Sequence, residues 1–447
     1  MRDEVGDHRA RVAEAAAQLR AAPDGPLALD KRTSNLFRDR QRGRRHRLDL
    51  GALNHVLAQD PAAGWVDAEG MTTYEDLVAA TLACGTMPAV VPQLKTITIG
   101  GAAAGVGIEA TSFRHGLVHD TLREIEVLLP GGEVVVCSPD NDYSDLFFGF
   151  PNSYGTLGYA LRLRAATLPV LPVVHLRHRR LDTERFFDEL AAACASDADF
   201  VDGVVFARGE QVLSTGHFVP EGRWRSDYTF ENIYWRSLRV REEDFLATGD
   251  YLWRWDTDWF WCSRNFGAQQ PLLRRLLGRG RLNSRTYTRW MRFNARWRLA
   301  QRLARWRGRY RESVIQDVDI PWRHAPAFLD FLHREIGILP VWICPVRGEL
   351  PGRCFPLYRL AAAPLYVNFG FWDAIETRRP LEPAHFNRLI EQEVLRREGI
   401  KSLYSDSFFT REAFAQSYGM ASYERLKRKY DPQRRAPDLY DKCVRRI

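Results

Sequence analysis

One stretch limits the possible folds more than any other: Thr96-Ile-Thr-Ile-Gly-Gly-Ala-Ala-Ala-Gly-Val-Gly-Ile-Glu109, where a β-branched run breaks into glycine and alanine. Residues without bulk let a backbone approach a ligand or another backbone closely. Glycine also supplies the φ > 0 that a loop needs to present successive N–H groups to a diphosphate. The run Gly100-Gly101-Ala102-Ala103-Ala104-Gly105-Val106-Gly107 is not a Walker A loop, because no Gly-Lys-Ser/Thr follows. Nor is it a Rossmann fingerprint, since the Gly105-x-Gly107 pair lacks the third glycine. By itself it fits either a phosphate site or tight packing at a turn.

The flanks narrow the choice. Gly64-Trp65-Val66-Asp67 reads as a short strand. Thr73, Leu77, Val78, Ala80 and Leu82 carry a helical period, with Thr73 as the cap and Asp76 three residues on. Gly85 ends that helix, and Pro88 to Pro92 is extended. Glu124 to Val136 reads as a hairpin with Gly131-Gly132 near its turn. Asn152-Ser-Tyr-Gly-Thr-Leu-Gly158 is a loop that enters an alternating strand, and Pro169 and Pro172 mark a boundary.

Beyond that boundary the texture changes. A strand pair surrounds Gly209, residues 284–312 read as helical and basic, and Leu339–Pro345 and Pro364–Gly370 read as apolar strands. Helices are expected near 383–397 and 410–429, and the first twenty residues read as a short amphipathic helix. With 45% hydrophobic residues in 447, the chain has ample material for sizeable cores. We expect an α+β protein in three parts: residues 1–172, residues 173–395 with a basic aromatic region at 250–312, and a C-terminal helical segment, 396–447.

Several classes are excluded. The seven cysteines form no CxxC, and their odd number argues against a disulfide framework, which favours a reducing cytoplasm. The eleven histidines form no HExxH, so no metal site is expected. No apolar run reaches 18 residues and the first twenty residues do not read as a signal peptide, so a membrane span is not expected. Only six of the 64 basic residues are lysine. Arginine grips phosphate bidentately, which leaves nucleotide phosphate and anionic lipid open as partners. No recognition module supports nucleic acid.

The order strand, Thr98-Ile99-Gly100-Gly101, small residues, Ser112-Phe-Arg-His-Gly116, hairpin, and Ser153-Tyr-Gly155-Thr156-Leu-Gly158-Tyr159 resembles the PCMH-type FAD-binding domain of the vanillyl-alcohol-oxidase superfamily, over residues 30 to 170. The resemblance implies a two-subdomain FAD-binding domain followed by an α/β cap that carries the substrate. It implies that Thr98–Gly101, with Ala102, Ala103, Gly105, Gly107 and Ser112 around them, meets the FAD pyrophosphate, and that the Gly155–Tyr159 loop helps to hold the cofactor. The superfamily's first phosphate loop is usually glycine-rich, often with a histidine that bonds the flavin. Here the corresponding Thr33-Ser34-Asn35-Leu-Phe-Arg38 has neither. Ser34, Asn35 and Arg38 are candidates for phosphate contact, and non-covalent FAD is expected.

The likeness to the delta-24 sterol reductase (Diminuto/seladin) family is more specific. It rests on Thr98–Gly101 with Gly105-Val-Gly-Ile-Glu109 and His115-Gly116, Gln316-Asp317 with Pro321, Pro340-Val-Trp-Ile-Cys-Pro345, Leu403-Tyr404-Ser-Asp406 with Arg411-Glu412, and Tyr440-Asp-Lys442. That family implies hydride taken from NADPH and delivered through FAD to an isolated alkene. Unlike the sterol enzymes, this sequence shows no N-terminal membrane anchor, and its Arg/Ala-rich composition looks bacterial, where sterols are uncommon; the bacterial proteins it is similar to are the actinobacterial 10-methylene fatty acyl reductases. Those enzymes complete the 10-methyl branch of tuberculostearic (10-methylstearic) acid on a phospholipid, after a methylene-forming methyltransferase. A sterol or isoprenoid alkene, and an O2-using oxidase of the same fold, are the alternatives.

An unactivated 1,1-disubstituted alkene needs hydride at its more substituted carbon and a proton at its terminal CH2, so a positioned acid is required. Glu109 follows the glycine run, and burial in an apolar pocket would keep it neutral; a structural salt bridge is the competing role. Tyr404, oriented by Asp406, is the second candidate donor and His115 the third. A hydrogen-bonded core pair and a structural histidine are the competing readings.

Seven of the thirteen tryptophans fall in residues 250–310, among many arginines. Trp290, Phe293 and Trp297 recur at helical spacing beside Arg292, Arg296 and Arg302. The pattern fits a helix lying at an anionic membrane surface, making the protein peripheral at the inner face of the cell membrane, and it equally fits a core helix with a solvated basic face.

Overall fold

A computed structural model describes residues 2–23, 25–31, 37–38, 45–297, 302, 304 and 306–447. It is an α+β molecule with a two-stranded parallel pair, Leu27–Leu29 with His46–Leu48, and two large antiparallel sheets. The first takes the strand order Val56–Asp60, Trp65–Glu69, Tyr159–Pro169, Leu122–Leu128, Val134–Cys137, and Thr86–Pro88 pairs with the far end of Tyr159–Pro169. The Leu122–Leu128 and Val134–Cys137 strands form the hairpin signalled by Gly131-Gly132. Tyr159–Pro169 alternates buried and half-buried residues along most of its length, as a strand with one face in a core must.

The helix Tyr74–Leu82 starts at Thr73, whose side chain accepts from the Asp76 amide. A short helix, Ile99–Ala104, is capped in the same way by Thr98. The N-terminal helix, Arg2–Arg20, docks through His8, which bridges Glu69 and Glu126 of the first sheet at 2.8 Å each.

The second sheet has eight strands in the order Glu243–Ala247, Val173–Leu181, Glu210–Val219, Phe200–Ala207, Val341–Arg347, Leu365–Thr377, Tyr310–Pro321, Ile400–Lys401. One face is covered by the helices Thr183–Cys194, Ala325–Phe331 and His385–Arg396, through Phe186, Leu190, Phe328 and Ile390. From the other face, Leu176, Val204, Val212 and Trp342 join the same core as Val66, Leu77, Ile125 and Leu163 of the first sheet. The two sheets therefore share a continuous apolar layer.

Two expected helices differ. The basic helix is described as Ser284–Trp297, and Tyr310 already begins a strand, because Val314, Val318 and Ile320 alternate into the second core. The expected 410–429 helix is two, Arg411–Ser417 and Met420–Tyr430, broken at Gly419, whose φ is +54° and whose Cβ would meet the Pro356 carbonyl at 2.2 Å. Among the described residues no helix is long and apolar enough to cross a membrane.

Candidate functional site

A cavity of about 720 Å3 lies where the glycine segment, the second sheet and the C-terminal segment meet. That volume suits a small-molecule or cofactor site. Thr98, Gly100, Gly101, Ala102, Gly105, Gly107, Arg38, Gly155, Gly158 and Tyr159 line it, together with Lys31, Arg45 and Lys442. Its other walls are aromatic: Phe37, Trp259, Phe260, Trp342, Trp372 and Tyr404.

The two glycine loops meet here because the Tyr154 amide donates to the Ala104 carbonyl at 2.8 Å and that of Asn152 to Gly105 at 3.3 Å. Gly155 and Gly158 turn with φ of +75° and +142°, which side chains resist. From the C-terminal segment, Lys427 Nζ donates to the Thr156 carbonyl at 2.7 Å and Lys442 Nζ to that of Tyr154 at 2.6 Å.

The glycine run works differently from the expected amide cradle. The amides of Ile99, Gly100 and Gly101 are taken by the Thr72 carbonyl, the Gly70 carbonyl and Thr98 Oγ1. Gly100 is small because the chain at Gly70 presses on it: an added Cβ would stand 2.6 Å from the Gly70 carbonyl oxygen. Gly107 is small because Val118 and Pro92 press on it. What the segment presents to the cavity is low relief beside a cation. Lys31 Nζ donates to Thr98 Oγ1 at 2.7 Å and would lie 2.7 Å from a Cβ on Gly101. A dinucleotide with a flat ring fits this set: cations of Lys31, Arg45 and Arg38 for its phosphates, aromatic walls for its ring system.

Several expected residues stand elsewhere. Ile99 and Ala103 are buried in the core behind the cavity wall. Ser112 accepts from the Glu109 amide, and Thr156 donates to the Ser153 carbonyl, so both stabilise turns. Ser34 and Asn35 lie outside the described residues.

Glu109 does not reach the cavity. Its carboxylate is drawn to Arg254 at 2.9 Å, and Arg254 also binds Asp202 at 2.9 Å, all three buried between the sheets. Burial raises the Glu109 pKa against the pull of Arg254. His115 is half-buried at the end of a helical turn, and burial followed by Arg114 and Arg347 lowers its pKa. It too is absent from the cavity wall.

Tyr404 does line the cavity, but Asp406 is not its partner: Asp406 pairs with Arg446 at 3.3 Å. Tyr404 donates instead to Asp317 Oδ2 at 2.6 Å and accepts from Trp372 Nε1 at 2.8 Å. Asp317 comes from the strand Tyr310–Pro321, on which Arg311, Ser313, Ile315 and Asp317 alternate along one face into the cavity. Withdrawal from water pushes its carboxyl up to about 8, opposed by the Tyr404 hydrogen bond and helped by Asp319. Asp319, held by Tyr358 at 2.6 Å and Asn368 at 2.8 Å, is itself pushed up to about 6 by burial.

Asp317 Oδ1 is shielded and has no hydrogen-bond partner among the described residues. Gly370 leaves room for it, since a Cβ there would stand 2.7 Å away. At neutral pH, with Tyr404 donating to Oδ2, the acid proton belongs on Oδ1. Asp317, Tyr404 and Trp372 all line the cavity, so the trio sets a carboxyl that stays protonated near neutrality in its wall.

The tryptophan-rich region is mostly interior. Trp255, Trp259 and Trp261 are buried, and Trp290 packs on a small cluster with Trp259 and Tyr287. Phe293 and Trp306 are 61% and 83% exposed, and Arg302 is exposed. The side chains of Arg292, Arg296 and Trp297 lie outside the described residues. Among the described residues no group of three His, Cys, Asp or Glu side chains is arranged to hold a metal ion.

Residues 10–138 match the FAD binding domain family. The chain is 26% identical to the Delta(24)-sterol reductase of Homo sapiens, over 88% of this chain and 77% of that protein. It is 22% identical to the Delta(24)-sterol reductase of Arabidopsis thaliana, over 88% and 75%. A shorter likeness, 35% identity over 32% of this chain and 28% of the other, is to Cytokinin dehydrogenase 7 of Oryza sativa subsp. japonica. The chain thus carries an FAD-type domain within a sequence similar, along most of its length, to sterol reductases.

Proposed function

We propose that this protein is an FAD-dependent reductase that saturates an isolated carbon–carbon double bond in a lipid, with non-covalent FAD and with NADPH as electron source. The observation that carries the reading is the Trp372–Tyr404–Asp317 chain in the wall of a cavity whose glycine-lined side matches an FAD binding domain. Bound flavin supplies hydride chemistry. Lys31, Arg45 and Arg38 would hold the cofactor phosphates, while Trp259, Phe260 and Trp342 keep water from the alkene. Asp317, neutral at pH 7, holds the proton that the terminal carbon needs, and Tyr404 fixes its carboxyl. In this reading Glu109, His115 and Asp406 are structural.

The 10-methylene group of a phospholipid-bound acyl chain is the substrate we favour, on the Arg/Ala-rich composition and its resemblance to the actinobacterial reductases. The similarity to Delta(24)-sterol reductases supports a sterol or isoprenoid alkene as the second reading. The protein should be purified, loaded with FAD and mixed anaerobically with NADPH, followed by admission of air. Bleaching by NADPH with slow reoxidation supports a reductase, whereas rapid reoxidation indicates an oxidase and no bleaching removes the NADPH link. Lipid mass spectrometry of a bacterial host co-expressing a methylene-forming methyltransferase then separates the substrates: persistent 10-methylene lipid excludes the first.

A further inference from the structure

The short helix Pro271–Leu277 holds its apolar side away from the protein. Leu272 and Leu276, one turn apart, are 83% and 77% exposed. Two adjacent bare leucines are unfavourably solvated, and an apolar medium that buried them would recover that cost. The helix is nevertheless held rigidly. Arg274, within the same turn, is buried and makes a bidentate pair with Asp258 at 2.7 and 3.0 Å. That anchor fixes which side of the helix faces out.

Beneath the helix, Leu277 packs on a cluster that includes Trp259, Phe266, Trp290 and Met291, and these four also line the cavity. Leu277, next in sequence to Leu276, thus ties this helix to the cavity's apolar wall. Next to them, Arg275 and Arg279 are neutralised by Glu231 and Asp227. Arg281, just past this helix, and Arg289, on the helix Ser284–Trp297 that follows, are exposed and have no carboxylate partner among the described residues, so the unpaired charge of this stretch of chain is positive.

We propose that Leu272 and Leu276 insert into an anionic lipid surface, with Arg281 and Arg289 at headgroup depth, and that the lipid chain enters the cavity beside this helix. Apolar side chains flanked by unpaired arginine match an anionic bilayer better than a protein face, which would pair those charges with carboxylates at defined positions. The idea deepens the lipid-reductase reading and rests on it for its purpose, although the docking itself can be measured without turnover.

The FAD-loaded full chain should be co-sedimented with vesicles of phosphatidylcholine alone and of phosphatidylcholine with phosphatidylglycerol. Binding is expected on the anionic vesicles only. Leu272→Ser/Leu276→Ser should weaken it about tenfold or more, and Arg281→Glu/Arg289→Glu should remove its salt sensitivity. Unchanged melting temperature and flavin content show that the variants are folded. Wild type that ignores both vesicles overturns the proposal. So does a leucine variant that binds vesicles normally but changes from dimer to monomer in light scattering, since the leucines then belong to a protein interface. Loss of docking with turnover of detergent-dispersed substrate intact would leave the reductase reading standing; docking without turnover on any dispersed alkene would do the reverse.

Discussion

The hydroxyl of Tyr404 lies 2.6 Å from Oδ2 of Asp317, a residue 87 positions earlier in the chain. Short hydrogen bonds to a carboxyl usually stabilise its charged form. Here withdrawal from water prevails and the group stays an acid near neutrality. Asp317→Asn keeps the shape and removes the transferable proton, so alkene reduction should fall about 10^2- to 10^4-fold with FAD still bound. Tyr404→Phe should cost less, because it loosens the acid without removing it. Single-turnover rates of the reduced enzyme check both; an Asp317→Asn enzyme at full speed excludes the acid role.

The same group sets the pH dependence. A proton donor titrating near 8 is present below that value and absent above it. The chemical step should therefore be level from pH 6 to 7 and decline about tenfold per unit above pH 8. In Tyr404→Phe the midpoint should move, since the hydrogen bond that opposes the rise is gone. A profile flat to pH 10 would assign the proton to another source.

Glu109 and Arg254 should separate stability from chemistry. Arg254→Met leaves Asp202 buried without its cation and should destabilise the fold by about 3–5 kcal/mol. Glu109→Gln retains the Arg254–Asp202 pair and should alter stability by about 1 kcal/mol or less. It should keep turnover within a few-fold. Denaturant midpoints and steady-state rates on the two variants test this; loss of turnover in Glu109→Gln at unchanged stability would return Glu109 to the chemistry.

The His8 bridge should make the docking of the first helix depend on pH in both directions. Burial opposes protonation of His8, but hydrogen bonds to Glu126 and Glu69 outweigh it and raise its pKa from 6.5 to about 9. Its contribution is complete below pH 6.5 and lost as pH rises through 9. For Glu69, burial is outweighed by His8, His55 and Arg11, and its pKa is lowered from 4.5 to about 2. That contribution is complete above pH 4.5 and lost as pH falls through 2. The gap in melting temperature between the native chain and His8→Ala should be widest at pH 5 to 6 and shrink by pH 10. A gap independent of pH would mean that His8 acts only by packing.

What was legible in the sequence was local. Thr73 with Asp76, Gly131-Gly132 and the turn at Gly209 each sit beside the structure that they dictate. The two glycine loops could be paired only through the family resemblance. Asp317 escaped because alternation on a strand marks a polar face without saying whether water or a cavity lies against it. Asp406 looked like a partner for Tyr404 by proximity in sequence, yet the partners that matter come from other strands, Asp317 and Trp372. Glu109 follows the glycine run directly, but the cation that turns it away is 145 positions further on. The tryptophans of 253–261 carry no signal that distinguishes a lipid-facing ring from a core ring, and the structure buries three of them.

At Gly70 and Gly100 two stretches of main chain touch directly, and a Cβ on Gly70 would fall 1.9 Å from the Ala160 carbonyl oxygen. Three segments are thus nested with nothing between them, and no single exchange at either glycine can be absorbed by moving a side chain. Across the cavity, Arg311, Ser313 and Ile315 project from a strand whose reverse side is packed independently. Inherited variation is blocked on one shore and permitted on the other, so related chains can diverge in the guest they admit while the opposite bank stays frozen.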